Sequence, residues 1–158
     1  MLRLLACTLI VAALPAVCWA QPQASPKGAT DVVALLEKSG HRYTKVSDGV
    51  WEIIFSGDNV KDFPVRLALG EGMLIGLSKV ANRKDLKLEP ALLTKVLEMN
   101  HSMDSVKLAL SDDMLYVRLD THLRILDGQE LKYILDQLSG VTDEVYPQIK
   151  PFLNAPAK

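Results

Sequence analysis

The side chains best suited to acid–base or metal chemistry in this 158-residue chain are three histidines, His41, His101 and His122, and two acidic clusters, Asp58/Asp62 and Asp112/Asp113. A histidine within reach of an aspartate could act as a general base or begin a metal site. The spacing does not support either use. No two histidines stand four residues apart, and no His-Glu-x-x-His occurs. His41 and His101 each follow a run with helical spacing, where an imidazole helps satisfy the last carbonyls. Asp112 and Asp113 belong to a Ser-Asp-Asp turn, and neither acidic cluster has the alternating ligand spacing of a calcium loop. Gly76-Leu77-Ser78-Lys79-Val80 lacks the second glycine of a nucleophile elbow. Gly70-Glu71-Gly72 lies between two strand-like runs and reads as a turn rather than a phosphate loop. Arg83-Lys84 with Lys87 is a short basic loop broken by Asp85. Asn100-His101-Ser102 fits a glycosylation sequon, a pattern frequent by chance. No catalytic residue, metal ligand or cofactor is assigned. The rival reading, a small hydrolase or metal enzyme pairing His41, His101 or His122 with Asp112 or Asp113, requires two of these groups to meet in a pocket.

Composition narrows the setting. Met1-Leu2-Arg3 precedes an apolar stretch from Leu4 to Val17, and Cys18-Trp19-Ala20 is followed by polar Gln21-Pro22-Gln23. That layout predicts a signal peptide over residues 1–20, cleaved after Ala20, and a secreted, periplasmic product. Both cysteines, Cys7 and Cys18, lie in this leader, so the remaining chain has no disulfide or thiol chemistry. Losing Arg3 with the leader moves the net charge from −1 to −2. That balance offers no basic footprint for nucleic acid. No second long apolar run follows, so no membrane insertion is expected after cleavage.

The elements emerge in order. Residues 21–29 (QPQASPKGA) read as a flexible linker, 30–153 as one domain and 154–158 as a tail. Thr30 as N-cap and Gly40 at the far end bracket a helix from Asp31 to Ser39. Runs at 43–46 and 50–56 flank Ser47-Asp48-Gly49, a hairpin signal, and 63–69 and 73–80 complete a four-stranded meander. Glu89-Pro90 opens a second helix reaching about His101. Val106, Leu108, Leu110 and Leu115, Val117, Leu119 alternate on either side of Ser111-Asp112-Asp113. Asp127 with Glu130 starts a third helix, which Gly140 should end, leaving a last helical piece broken at Pro147 and Pro151. The fold class predicted is α+β, an antiparallel sheet in the order α-ββββ-α-ββ-α.

Alternation assigns Trp51, Ile53, Phe55, Val65, Leu67, Leu69, Ile75, Leu77, Leu108 and Val117 to the core. It leaves Val50, Glu52, Ile54, Arg66, Ala68, Leu74, Gly76, Ala109, Met114, Tyr116 and Arg118 on the second face. That face is richer in apolar and small residues than a solvated sheet. It would be covered by the third helix or tail, paired in a dimer, or used to hold an extended partner. Ile54, Ala68, Leu93, Val96 and Tyr116 are the candidate contact residues for a polypeptide partner or a second copy in a homodimer. A ligand-sensing regulator of the envelope is the alternative, and it would need an apolar pocket with a few polar groups.

The run Leu92-Leu93-Thr94-Lys95-Val96-Leu97-Glu98-Met99-Asn100, the hairpin from Lys107 to Asp120 with its acidic turn before Tyr116, and the helical region from Leu131 to Tyr146 together resemble the YbjN family. That family is similar in fold to class I type III secretion chaperones. The resemblance covers residues 31–153. It implies a non-enzymatic α+β module, often dimeric, that acts by binding other polypeptides, and it brings no catalytic residues. Such chaperones are cytoplasmic and strongly acidic, whereas this chain has a signal-like leader and a near-neutral charge.

Overall fold

The computed structural model describes residues 28–154. The predicted leader and most of the predicted linker and tail lie outside the described residues. Helix α1 (Ala29–Ser39) leads into strands β1 (Tyr43–Ser47), β2 (Val50–Phe55), β3 (Phe63–Leu69) and β4 (Met73–Asn82). Helix α2 (Pro90–Ser102), strands β5 (Lys107–Leu110) and β6 (Met114–His122) and helix α3 (Gly128–Ile149) follow. The strands form one antiparallel sheet in the order β1-β2-β3-β4-β6-β5. This is the α+β class and element order expected from the sequence.

Helix α1 begins two residues ahead of the predicted start. Its first turn is closed by the Asp31 carboxylate, which accepts from the Gly28 N–H at 2.9 Å. Asp127 caps α3, accepting from the N–H groups of Gln129 at 2.9 Å and Glu130 at 2.8 Å. Glu130 does not complete a capping box. Its carboxylate instead accepts from buried Thr121 Oγ1 at 3.2 Å, joining helix to strand.

One face of the sheet forms the core. Trp51, Ile53, Val65, Leu67, Leu74, Val117 and Leu119 are buried there beneath α3, whose Leu131, Ile134, Leu135, Leu138, Val145 and Ile149 form a continuous inward stripe. Val32 and Leu36 of α1 join the same core.

The sequence-based assignment of β4 is reversed. Leu74, Gly76, Ser78 and Val80 face the core, while Ile75 and Leu77 are half-buried on the opposite face. The pairings Leu67↔Gly76 and Gly76↔Leu119 place Gly76 among core residues. Both alternating sets on β4 contain apolar residues, so period alone could not choose between them. The choice is set by α3, which packs where the strand presents its smallest side chains. A Cβ at Gly76 would lie less than 3.0 Å from Leu138 Cδ1 and 3.4 Å from the Leu119 carbonyl oxygen. Because α3 lies on this side, it does not cover the second face.

Gly140 does not end α3, and Pro147 does not split it; the helix runs unbroken for 22 residues. The inward stripe continues through Thr142, Val145 and Ile149, and this burial outweighs the weak helix propensity of glycine. Pro147 has no N–H to give the carbonyl of Asp143, four residues earlier. Asn59 Nδ2 donates to that carbonyl instead, at 3.2 Å. The Asp143 carboxylate meanwhile accepts from the N–H groups of Asp58 (3.0 Å), Asn59 (2.8 Å) and Val60 (2.8 Å). Partial burial opposes ionisation of Asp143, but these donors and the Asn59 amide outweigh it and hold the carboxyl below its usual range. The β2–β3 loop is thereby clamped to α3. Asp62, in a left-handed conformation (φ 52°), accepts from Ser56 Oγ at 2.8 Å, so the Asp58/Asp62 cluster is turn chemistry.

Trp51 is 1% exposed, and its indole N–H has no acceptor among the described residues. A buried donor without a partner costs roughly 1–3 kcal/mol. Trp51→Phe keeps most of the apolar volume and removes that donor. Relief of the unpaired donor should offset part of the cost of the space left by the missing ring atoms, so Trp51→Phe should lose less than about 2 kcal/mol in urea melts, and a larger loss would count against an unpaired donor.

Candidate interaction surfaces

The second sheet face carries no helix among the described residues. The register arranges it in rows. Val50, Ala68 and Ile75 form one row, and Ile54 with Pro64 and Tyr116 with Ala109 lie along another. Between them runs a polar row, Glu52, Arg66, Leu77, Arg118 and Lys107. Glu52 pairs with Arg66 at 2.7 Å and Asp120 with Arg118 at 2.9 Å. Two mainly apolar strips, interrupted by Asp120 in the first and Lys79 in the second, thus flank a charged strip in which Arg66 and Arg118 are ion-paired and Lys107 has no carboxylate partner among the described residues. Such a surface suits an extended chain whose side chains alternate in contact, better than a broad oily plate.

Of the predicted contact residues, Ile54 is 55% exposed on this face, and Ala68 and Tyr116 are half-buried on it. Ile75 and Leu77 belong here too, and were missed because β4 was read in the wrong phase. Leu93 and Val96 lie elsewhere, on α2. Leu93 is 50% exposed and is joined one turn later by Leu97, 69% exposed, forming an outward apolar ridge. Val96 turns inward and packs against the core. The i, i+4 spacing of Leu93 and Leu97 was available in the sequence as a signal for the ridge.

The sheet's two edges differ. β1 pairs only with β2, and no hydrogen bond from the described residues reaches the outer main-chain groups of Tyr43–Ser47. β5 ends the other side, and there Asn100 of α2 bonds to both polar groups of Leu108: the Leu108 N–H donates to Asn100 Oδ1 at 2.7 Å, and Asn100 Nδ2 donates to the Leu108 carbonyl at 2.9 Å.

The groups needed for the hydrolase reading are dispersed. His41 packs against Phe55 with ring centroids 5.4 Å apart and the planes tilted by 50°, while His101 and His122 are exposed. Asp112 and Asp113 sit in the β5–β6 turn, and His122 ends β6, a nine-residue strand and so about 26 Å away. Among the described residues no three His, Cys, Asp or Glu side chains gather as a metal site. A cleft of about 350 Å³ lies between the first turn of α1 and the β1–β2 turn, with Val33, Lys45, Gly49 and Trp51 in its lining.

No protein-family model matches the chain, and no curated protein matches it in sequence. Solved structures do. The Escherichia coli protein YbjN superposes with a TM-score of 0.60 at 16% identity, over 83% of this chain and 98% of that one. The HopA1–SchA chaperone–effector complex gives 0.56 at 15% identity, over 75% of this chain and 91% of the matched one. The heterodimeric ExoU–SpcU complex of the Pseudomonas aeruginosa type III secretion system gives 0.55 at 18% identity, over 75% and 97%. The fold is the one these proteins share, as the sequence resemblance implied.

Proposed function

We propose that this chain is a non-catalytic, chaperone-like module that holds an extended polypeptide segment against its sheet. The observation that carries this reading is the sheet itself, with one face uncovered and the β1 edge unpaired among the described residues. An unpaired edge supplies main-chain hydrogen bonds to an added strand, and the apolar strips through Ile54, Ala68 and Tyr116 offer side-chain contacts where the same chain continues across the face. Two of the similar folds come from a chaperone–effector complex and a type III secretion heterodimer, which supports a polypeptide as the ligand class. The leader-like residues 1–20 support action in the periplasm. The Leu93/Leu97 ridge of α2 supports a homodimer.

Site-specific photo-crosslinking in the native host tests this. A photoreactive residue at Thr44 or Ile54 should capture a polypeptide, whereas one at Lys132, on the outer side of α3, should not. Capture equal at all three positions, or at none, would sink the reading. Light scattering should give twice the monomer mass for the parent, and Tyr116→Asp should retain that mass if the dimer forms through α2. A monomeric parent would remove the dimer.

A ligand-sensing role is the second reading. It rests on the cleft beside Trp51 and would be favoured by a small molecule that quenches Trp51 fluorescence.

A further inference from the structure

The outer edge of β5 is closed chiefly by one side chain. In this hairpin the Ser111 N–H donates to the Met114 carbonyl at 2.9 Å. Counting back by alternation, Ala109 and Lys107 bond to β6, and the polar groups of Leu108 and Leu110 point away from it. Both outward groups of Leu108 are taken by Asn100. A carboxamide carries the same donor and acceptor as a peptide group, so Asn100 stands where a residue of an added strand would stand. Lys107 Nζ fastens the end of α2 by donating to the carbonyls of Asn100, at 3.0 Å, and Met103. With Leu108 occupied, Leu110 is the one residue of β5 that retains outward groups among the described residues, too few to seat a strand. On β1 no described residue plays this part.

We infer that Asn100 is an edge guard, which keeps β5 from accepting a strand and so confines strand addition to β1. This deepens the proposed function by giving the reason that β1 and not β5 is the edge used, and in that respect it rests on that reading. The guard itself follows from the α2–β5 contact alone.

The test compares the full chain with Asn100→Ala by amide hydrogen exchange and sedimentation velocity. In the parent, the Leu108 amide should exchange slowly. In Asn100→Ala, with the far-ultraviolet circular dichroism spectrum unchanged, it should exchange at least about tenfold faster. The variant should also form species larger than the parent does, increasing with concentration. Adding Leu110→Pro, which removes the second outward donor and stiffens the edge without touching the ladder to β6, should return it to parental size. A Leu108 amide equally slow in both proteins, or no gain in association, would overturn the guard. If alanine unfolds the chain, Asn100→Gln takes its place, because the added methylene displaces the same amide, and the same two readouts decide. The outcomes separate cleanly. Failure to capture a partner at Thr44 or Ile54 would defeat the proposed function and leave the Leu108 result standing. A fast Leu108 amide in the parent would defeat only the guard.

Discussion

Gly76→Val is expected to destabilise the protein by about 3 kcal/mol, the upper end of the usual cost of overpacking a core. The melting temperature should fall by roughly 10 °C or more. Local propensity predicts the opposite sign. Glycine weakens a strand interior, and valine is among the best strand formers. The structure reverses that expectation, because Gly76 is where α3 comes closest to the sheet. A Cβ there would lie less than 3.0 Å from Leu138 Cδ1 and 3.4 Å from Ile134 Cγ2, both in fully packed surroundings. Two further methyl carbons would force α3 away from the layer of Leu67, Gly76 and Leu119, loosening the single core that holds the domain together. Gly76→Ala should cost about half as much. Thermal and urea melts followed by circular dichroism decide the matter, and a valine variant as stable as the parent would show that α3 does not pack on β4 in this way.

The second large effect is expected from Asp143→Ala. This side chain accepts three main-chain N–H groups of the β2–β3 loop, and no other described group takes them. Removing it orphans all three at once and frees the loop, so a drop in melting temperature of roughly 5–10 °C is expected. Asp143→Asn should recover only part of this, since its single oxygen can serve no more than part of the cluster and its amide faces other donors. The clamp also fixes a pH dependence. Because the folded protein holds this carboxyl below its ordinary value of 3.8, ionised Asp143 favours the folded state. That contribution is fully present above the ordinary value and is lost as pH falls below it, through the lower folded value. The stability gap between parent and Asp143→Ala should therefore be constant from pH 7 to about 5 and shrink below about 4. A gap that stays constant into strong acid would show that the carboxylate does not carry the clamp. Gly57 is part of the same device, since a Cβ there would strike the Asp143 carboxylate.

Much of the fold is legible in the residues because the relevant signals are local. Asp48-Gly49 between two alternating runs specifies the first hairpin, Gly49 taking the left-handed conformation (φ 71°) that the turn needs. Asp127 caps α3 as its position suggested. Ile54, Ala68 and Tyr116 could be placed on one sheet face because they sit on strands whose phase was unambiguous. Ile75 and Leu77 could not, because β4 carries apolar residues at both phases and only the helix above it selects between them. Gly140 and Pro147 misled for a related reason. Each is a local stop signal, and each was overridden by burial of Val145 and Ile149 and by a donor from Asn59, more than eighty residues away in sequence.

The sequence by itself determined the class of the protein. Alternation, turn residues and caps are short-range, so the order of helices and strands could be read directly, as could the absence of a recognisable catalytic or metal-binding motif. Only the tertiary structure decided which surfaces are left for a partner. Whether a sheet face is open depends on where α3 packs, and whether an edge is free depends on one amide reaching from α2 to Leu108. Those are contacts between segments distant along the chain or differently oriented in space, and no periodicity within either segment encodes them.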